Sequence, residues 1–317
     1  MAGTVNSSGN VSHPLKGDYL GSLAVRMANG NTLISYKVLL PDRCRWKIND
    51  PERRNMDGLL SGCIAEVTPH KQVVWDWDWH CHDHLDLNGY CKNDPNPNWT
   101  HFNTIQPLPE NRHYDAGDDR FQPGNVLVSG RTLGFIFIID KETGEIVWRF
   151  RGQWKGGLAG QHSPLMIEQG CPGEGNILVF DNGQSPLGFD RHGGMSAILE
   201  IDPAKAKEVW VYENEYLFYS SYGGHCQRLP NGNTLIAEPY TCRVFEITLE
   251  GEIVWEHVRD PGTWLLLMDA TRVPYDDCPQ LGAMKAPKES PVIPPPHINT
   301  NPKPIPPCPH HALKENT

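Results

Sequence analysis

Residues 232–255 read GNTLIAEPYTCRVFEITLEGEIVW, and this stretch decides the fold because its pattern occurs four times along the chain. It begins with a Gly-Asn turn, continues through two short apolar segments and ends on a Val-Trp pair. The turns are Gly30-Asn31, Gly124-Asn125, Gly175-Asn176 and Gly232-Asn233. The closing pairs are Val74-Trp75, Val147-Trp148, Val209-Trp210 and Val254-Trp255. Self-similarity of this kind predicts a fold built from repeated units.

Each repeat predicts short strands. Downstream of each turn, a second apolar segment contains or ends on an acid, at Ile64–Val67, Ile136–Asp140, Ile198–Asp202 and Val244–Ile247. Successive tryptophans of the closing pairs lie 73, 62 and 45 residues apart, and no long segment has helical periodicity. This pattern is typical of four-stranded blades, so we expect an all-β protein with a β-propeller fold. The Val-Trp pairs are expected to pack between blades.

Four blades are visible between Tyr19 and Asp260, and a fifth could be built only from Trp264–Gln280 together with the N-terminal strand. We therefore expect five or six blades in all. Residues 1–16 are predicted to be a flexible N-terminal arm, and residues 17–285 the propeller. Residues 286–317 are predicted to be a tail, because ten prolines occur from Pro287 onward and proline disrupts strand pairing.

Composition narrows the classes of partner. The 317 residues include 38 acidic and 28 basic side chains, a net charge of −10, which argues against a nucleic-acid partner. No apolar run approaches the roughly 20 residues of a membrane span. Met1–Asn10 has no secretory pattern, so a cytoplasmic location is expected. The nine cysteines have no short repeated spacing and are expected to be mostly reduced thiols.

Histidines recur near the predicted first strand of three blades. His101, His162 and His225 are 61 and 63 residues apart. First strands line the channel of a propeller, so these imidazoles are expected to converge at one end of it. There they could act as nucleophile, acid, base or metal ligands. The alternative is that each histidine caps its own strand through a local hydrogen bond.

Other polar residues fall near the same channel end. Arg131 could bind a sulfate or carboxylate through its planar fork, or could serve in a structural ion pair. We expect Asn103, Asp181 and Asn182 to contribute to substrate binding, and Glu238 to act as a base. The predicted ligand is a small aromatic or anionic substrate.

The long insertion after the first blade reads WHCHDHLD over residues 79–86. In an extended strand, residues 80, 82 and 84 would share a face, which is a plausible spacing for zinc. His84 could reach over the channel mouth. Aromatic residues that could either receive a planar substrate or serve in packing are Trp77, Trp79, Tyr90, Trp99 and Tyr222.

Several of these segments resemble one family. Trp99-Thr100-His101, Gln161-His162-Ser163-Pro164, Phe180-Asp181-Asn182-Gly183 and the segment 227–235 are similar to the arylsulfotransferase-like propellers of bacteria and fungi. The likeness runs from about Gly17 to Leu281. It implies a transferase that moves a sulfuryl group between phenols through a sulfated histidine and needs no cofactor. Further histidines and an arginine would hold the sulfate oxygens, and His101 and His162 match two of those histidines.

The strand in which the family carries its nucleophilic histidine reads Leu-Ile-Ala-Glu-Pro over residues 235–239, without a histidine. The arginine expected just after Gly183 is also replaced, by Gln184. His225 could take over as nucleophile, and Arg131 could bind the anion.

Two other classes of function stay open. A divalent metal held by His101, His162 and His225, with His84 as a further ligand, would support a lyase, hydrolase or oxygenase with Glu238 as base. A binding propeller without catalysis would use the histidines only as loop anchors.

Overall fold

The computed structural model describes residues 20–46, 48, 51–81, 97–183, 195–214, 217–259, 267–273 and 280. The all-β prediction is confirmed, because these residues form four antiparallel sheets of four strands each. In every sheet the four strands are neighbours in chain order, as in a propeller blade. The predicted arm, the predicted tail and the insertion at 82–96 lie outside the described residues.

The strands follow the predicted repeats. The first sheet contains β1 (Leu20–Arg26), β2 (Thr32–Leu39), β3 (Leu60–Val67) and β4 (Val73–Asp78). The second contains β5 (Phe102–Pro107), β6 (Val126–Gly130), β7 (Phe135–Ile139) and β8 (Ile146–Phe150). The third contains β9 (His162–Met166), β10 (Ile177–Asp181), β11 (Ala197–Asp202) and β12 (Lys207–Tyr212). The fourth contains β13 (His225–Arg228), β14 (Thr234–Glu238), β15 (Arg243–Ile247) and β16 (Ile253–Val258).

Helices are short and lie in the connections. The α-helices are α1 (Asp42–Arg45), α2 (Pro51–Arg54) and α3 (Arg112–Asp115). Turns of 3-10 helix cover Trp79–Cys81, Asp119–Phe121 and Trp154–Gly156. Of the described residues, none forms a helix long and apolar enough to cross a membrane.

The Gly-Asn turns and the acids of the repeats are linked by hydrogen bonds. In three sheets the turn asparagine donates its side-chain amide to a glutamate on the third strand: Asn31 to Glu66, Asn176 to Glu200 and Asn233 to Glu246. In the second sheet Ile138 occupies the glutamate's position. There Asn125 instead accepts a hydrogen bond from the amide of Lys141 at 3.1 Å. The repeated sequence pattern therefore fixes the turn between the first two strands of each sheet.

The Val-Trp pairs connect successive sheets, as predicted. In three of the four pairs the indole N–H donates to a backbone carbonyl just after the third strand of the following sheet, from Trp75 to Lys141 at 3.0 Å, from Trp148 to Pro203 at 2.9 Å and from Trp210 to Leu249 at 2.9 Å. An indole can bury its ring while satisfying its single donor in this way. These tryptophans are therefore structural.

The first strands of the sheets lie side by side in the order β1, β5, β9 and β13. Gln106 of β5 accepts a hydrogen bond from the amide of Met166 in β9 at 2.8 Å. Gln227 of β13 accepts the same kind of bond from the amide of Arg272, also at 2.8 Å. The segment 267–273 thus lies beside β13 as β9 lies beside β5, where a further blade would begin. The total of five or six blades stays a prediction.

The cores fill the spaces between sheets. Trp79, Phe102 and Phe137 pack between the first and second sheets, with ring centroids 5.5 to 6.1 Å apart. Among the residues that the structure describes, five cysteines carry a thiol outside any disulfide: Cys44, Cys63, Cys171, Cys226 and Cys242.

Candidate functional site

The three predicted histidines lie at the same end of the first strands. His162 and His225 are the first residues of β9 and β13, and His101 immediately precedes β5. They do not share one position in the strand ladders. In each of these three sheets, one residue of the first strand pairs with the second residue of the neighbouring strand, and these residues occupy equivalent positions. They are Gln106 in β5, Leu165 in β9 and Gln227 in β13.

The histidines precede these equivalent positions by five, three and two residues. Register shifts in the β5–β6 and β9–β10 pairs accompany this offset. A β-bulge adds a residue to one strand and re-aims the side chains beyond it. The environment of each histidine is therefore different.

His101 lies in a group of basic side chains. Burial lowers the pKa of His101 to about 3, because the charged imidazolium would lose its hydration there. The nearby basic groups of Arg131, His162 and Lys37 contribute to the same shift. The backbone amide of Arg131 also donates to the carbonyl of His101 at 3.1 Å. We call Lys37, His101, Arg131 and His162 the basic cluster. It combines two imidazoles that are neutral at pH 7 with the basic side chains of Lys37 and Arg131.

Lys37 was not predicted as a site residue. It lies in β2, the second strand of the first sheet, and burial lowers its pKa below the usual value. The sequence signal was a lysine in the otherwise uncharged strand TLISYKVL. Its neighbours in space come from another sheet, so this signal did not identify its role.

His162 has a fixed orientation. Its Nδ1 is 2.7 Å from Oδ1 of Asn182, and the amide of Gly223 donates to its Nε2 at 3.3 Å. The proton of the neutral ring is therefore on Nδ1 and is donated to Asn182. Asn182 in turn donates to the carbonyls of Ser220 and Gly223 at 2.8 and 2.9 Å. Burial, with Arg131 as a further contributor, lowers the pKa of His162 to about 4 despite the hydrogen bond to Asn182.

The predicted substrate-binding residues differ in their access to a ligand. Asp181 and Asn182 are fully buried, and Oδ1 of Asp181 accepts from the amide of Ala159 at 2.8 Å. Asn103 is half-buried and donates to the carbonyl of Gln161 at 2.8 Å. Asp181 and Asn182 are therefore inaccessible to a ligand, whereas Asn103 retains exposed surface.

His225 has different neighbours. Its Nδ1 is 3.0 Å from the carbonyl of Ala270 and 3.1 Å from a carboxylate oxygen of Asp269. Burial lowers its pKa, and Asp269 opposes that shift. His225 also lines a cavity of about 160 Å³ between the first strands, together with Gln106, Leu165 and Thr271.

Glu238, the predicted base, is 1% exposed. It accepts from the amide of Tyr219 at 2.8 Å and lies 3.6 Å from a guanidinium nitrogen of Arg243. Burial raises its pKa above the usual value although these contacts oppose the shift. In this state Glu238 presents no surface to a ligand.

Of the predicted metal ligands, the three that the structure describes are not assembled at one point. His84 lies outside the described residues. Within the described part of the chain, the one group of three metal-ligating side chains with mutually close ligand atoms is Cys63, Asp78 and His80. His101, His162 and His225 do not form such a group there.

The aromatic residues predicted to serve in either substrate contact or packing differ in the exposed fraction of their side chains. Trp77, Trp79 and Trp99 are at most 3% exposed, so they serve in packing. Tyr222 is 36% exposed, and Tyr90 lies outside the described residues.

Comparisons with known proteins match more than half of the chain to one family. The sequence model described as "Arylsulfotransferase (ASST)" matches residues 83–260, which include the segments on which the sequence resemblance rests. No curated relative matches the chain.

Solved structures are only distantly similar. A Bacteroides caccae protein of unknown function has 17% identity over 62% of this chain and 54% of its own, with a TM-score of 0.39. A streptogramin B lyase has 11% identity over 79% of this chain and 57% of its own, with a TM-score of 0.40. The inactive H270A virginiamycin B lyase from Staphylococcus aureus, solved with quinupristin, has 10% identity, 78% and 72% coverage, and a TM-score of 0.37. The chain thus spans little more than half the length of the first two proteins.

Proposed function

The chain belongs to the arylsulfotransferase family, and from that premise we propose that the basic cluster binds the sulfuryl group of an aryl sulfate and passes it to a phenol. The observation that carries this proposal is the grouping of two neutral imidazoles with Arg131 and Lys37. The substrate class and the roles of individual residues are part of the proposal.

The charges of the basic cluster suit an anionic ester. A guanidinium can donate paired hydrogen bonds to two sulfate oxygens, and an ammonium adds a compact positive charge. Lys37 and Arg131 hold that positive charge close to His101. A sulfate ester would relieve the repulsion among these groups, so its binding is expected to be favourable.

His101 is the proposed nucleophile. Its low pKa keeps the imidazole unprotonated at neutral pH, so a ring nitrogen carries a free electron pair. That nitrogen would attack the sulfur, forming an S–N bond while the aryl O–S bond breaks and the phenolate leaves. The acceptor phenol would then attack the sulfur, lose its proton to solvent and release His101 as the S–N bond breaks. This two-step course predicts ping-pong kinetics.

His162 is proposed as a positioning residue. Asn182 contacts one ring nitrogen and Gly223 the other, and these two hydrogen bonds restrict rotation of the imidazole. Asn182 is itself held by two carbonyls, so the orientation is transmitted from the buried part of the third sheet.

His225 is the second candidate for the nucleophile. The carbonyl of Ala270 and the carboxylate of Asp269 hold its Nδ1, which would leave Nε2 to react. The adjoining cavity of about 160 Å³ is smaller than the roughly 300–1,000 Å³ of typical ligand sites. It would accept a small anion more readily than an aryl ring, which favours His101.

The test is to trap the sulfated enzyme. The purified chain is incubated with a chromogenic aryl sulfate without acceptor, and the protein is analysed by intact mass and peptide mapping. We expect one sulfuryl group on His101, and phenol release that becomes catalytic when an acceptor phenol is added. His101→Ala should abolish both signals, whereas the exposed, distant His257→Ala should leave them unchanged.

The outcomes separate the candidates. A sulfuryl group on His225 that survives His101→Ala would transfer the role of nucleophile to His225. Absence of any sulfated histidine, together with absence of phenol release from a panel of aryl sulfates, would overturn sulfuryl transfer. Lys37→Met should raise KM more than it lowers kcat if the ammonium acts mainly in anion binding.

A further inference from the structure

A second group of reactive side chains lies in the first sheet. Cys63 is in the middle of β3 and pairs across the sheet with Asp78 at the end of β4. Directly paired residues of neighbouring strands point to the same face, with Cβ atoms about 5 Å apart. His80 follows two residues after Asp78, in the 3-10 turn Trp79–Cys81.

The tryptophans on either side of Asp78 fix this arrangement. Trp77 and Trp79 are almost fully buried and pack against Phe137 of the second sheet, with ring centroids 6.0 and 5.5 Å away. Successive residues of a strand point to opposite faces. Asp78 and Cys63 therefore lie on the face opposite to this packing, and the buried indoles hold the turn that carries His80.

The three side chains meet at one point. One ligand atom each from Cys63, Asp78 and His80 lies within 4.8 Å of the other two. Cys63 and His80 are buried, whereas Asp78 is half-buried and so retains some contact with solvent. We propose that these three residues bind a divalent metal ion of the zinc class.

The chemistry of the donor set suits zinc. Zinc takes thiolate sulfur, imidazole nitrogen and carboxylate oxygen in tetrahedral geometry, with bonds of about 2.0–2.3 Å. Those bond lengths place ligand atoms roughly 3.3–3.8 Å apart. Because the present ligand atoms lie within 4.8 Å of one another, they need to approach by at most roughly 1–1.5 Å. Rotation of the half-buried Asp78 can supply much of that movement. Three protein ligands leave a fourth position for water.

Tyr36 supports the group from β2. It pairs with Cys63 across the sheet, and its hydroxyl donates to Oδ1 of Asp78 at 3.5 Å. This hydrogen bond orients the carboxylate of Asp78. Such outer partners of metal ligands commonly tune affinity.

Metal binding would join parts of the fold that are otherwise separate in sequence. Cys63 belongs to β3, whereas Asp78 and His80 flank the junction of β4 with the following turn. The ion would lock this turn to the sheet. Because the Cys63 thiol must lose its proton, metal affinity should fall as the pH is lowered.

The test uses cobalt as a probe of the full-length chain after treatment with a chelator. Titration with Co²⁺ should give one ion per chain with a thiolate-to-cobalt charge-transfer band, and Zn²⁺ should displace it. Cys63→Ser should abolish the band. Asp78→Asn and His80→Gln should weaken binding at least about 100-fold, since losing even an outer partner commonly costs about 10–100-fold.

Two cysteine controls locate the site. Cys81→Ser tests the neighbouring cysteine, and Cys242→Ser removes a buried thiol of the fourth sheet. Both should retain the band. A band that persists in Cys63→Ser, or one that disappears only in Cys81→Ser, would overturn the assignment, as would a wild-type chain that binds no cobalt or zinc.

Circular dichroism reports whether each variant is folded. If Cys63→Ser fails to fold, the half-exposed Asp78→Asn carries the test, because amide for carboxylate is nearly isosteric. The cobalt titration does not depend on sulfuryl transfer, so its result is independent of the test of the proposed function.

Discussion

His101 combines an unusual backbone conformation with an unusual titration. Its φ of 44° lies in the left-handed region, as does the φ of 49° at Ser163, next to His162. A residue other than glycine costs about 1–3 kcal/mol in sparsely populated regions of this kind, and such positions cluster at functional sites. The strain is thus located beside both imidazoles of the basic cluster.

His101→Gly should relieve this strain. Because glycine adopts positive φ without a steric penalty, we expect the free energy of unfolding to rise by up to about 1 kcal/mol relative to His101→Ala. Both variants lack the imidazole, so the comparison isolates the backbone. Chemical denaturation at pH 7 measures the difference, and equal stability of the two variants would refute the strain.

The basic cluster should also make stability depend on pH. The folded pKa values of His101 and His162, about 3 and about 4, lie below the usual 6.5. Between about pH 6.5 and 4 the unfolded chain therefore binds protons that the folded chain does not. The free energy of unfolding should fall as the pH falls, by up to about 1.4 kcal/mol per pH unit for each histidine.

Urea denaturation at pH 7, 6 and 5 measures this slope. The His101→Gln/His162→Gln double variant should have a flatter profile than the wild type. Identical profiles would mean that the two imidazoles do not have depressed pKa values in the folded chain.

At the scale of elements, the start of each first strand must fit against the neighbouring sheet. Gly224 precedes β13 with a φ of 107°, and a Cβ there would lie 2.6 Å from the buried ring of Phe180 in β10. This close approach brings β13 against the third sheet near His162. Glycine is required here both for the backbone conformation and for the space.

Gly224→Ala should therefore destabilise the protein strongly. Overpacking of a core typically costs about 1–3 kcal/mol, and the positive φ adds to that cost. Gly30→Ala is the matched control, because its φ is 82° but its Cβ would meet nothing within 4 Å. Thermal denaturation should show the larger loss for Gly224→Ala, and equal losses would show that Phe180 yields to the extra methyl group.

At the scale of the whole molecule, polar contacts repeat between successive sheets. A cation from the following segment pairs with the third-strand glutamate of the preceding sheet, in Lys141–Glu66, Arg228–Glu200 and Arg272–Glu246. Each cation also lies over a tryptophan ring of that preceding sheet. The Val-Trp pairs and the acids of the sequence repeat thus serve the same junction.

Glu200→Gln should weaken the junction between the third and fourth sheets. The side chains of Arg228 and Glu200 are 1% and 8% exposed, and their nitrogen and oxygen atoms are 2.6 Å apart. Removing one partner of a buried pair leaves an uncompensated charge, which typically costs about 3–5 kcal/mol.

The control is Lys205→Met, which breaks the ion pair between Lys205 and Asp202. The Lys205 side chain is 74% exposed. Exposed pairs contribute about 0–1 kcal/mol, so a small change is expected. Urea denaturation compares the two variants. If Glu200→Gln cost no more than Lys205→Met, the inter-sheet pair would not hold the sheets together.

The sequence alone determined the sheets of this protein. The Gly-Asn turns, the acids of the third strands and the Val-Trp pairs act within one repeat or on the next one, so their spacing along the chain predicts their contacts. The family resemblance was readable for the same reason, because its motifs lie at the starts and ends of these strands. The domain limits and the cytoplasmic location stay predictions.

Only the tertiary structure decided which side chains meet. The basic cluster includes Lys37 from a second strand of another sheet, and register shifts separate the surroundings of His101, His162 and His225. Glu238 and Asp181 are buried and therefore inaccessible to a ligand, and strand pairing places Cys63 beside Asp78. These outcomes depend on register, bulges and packing between sheets, which are properties of the folded chain that no single repeat encodes.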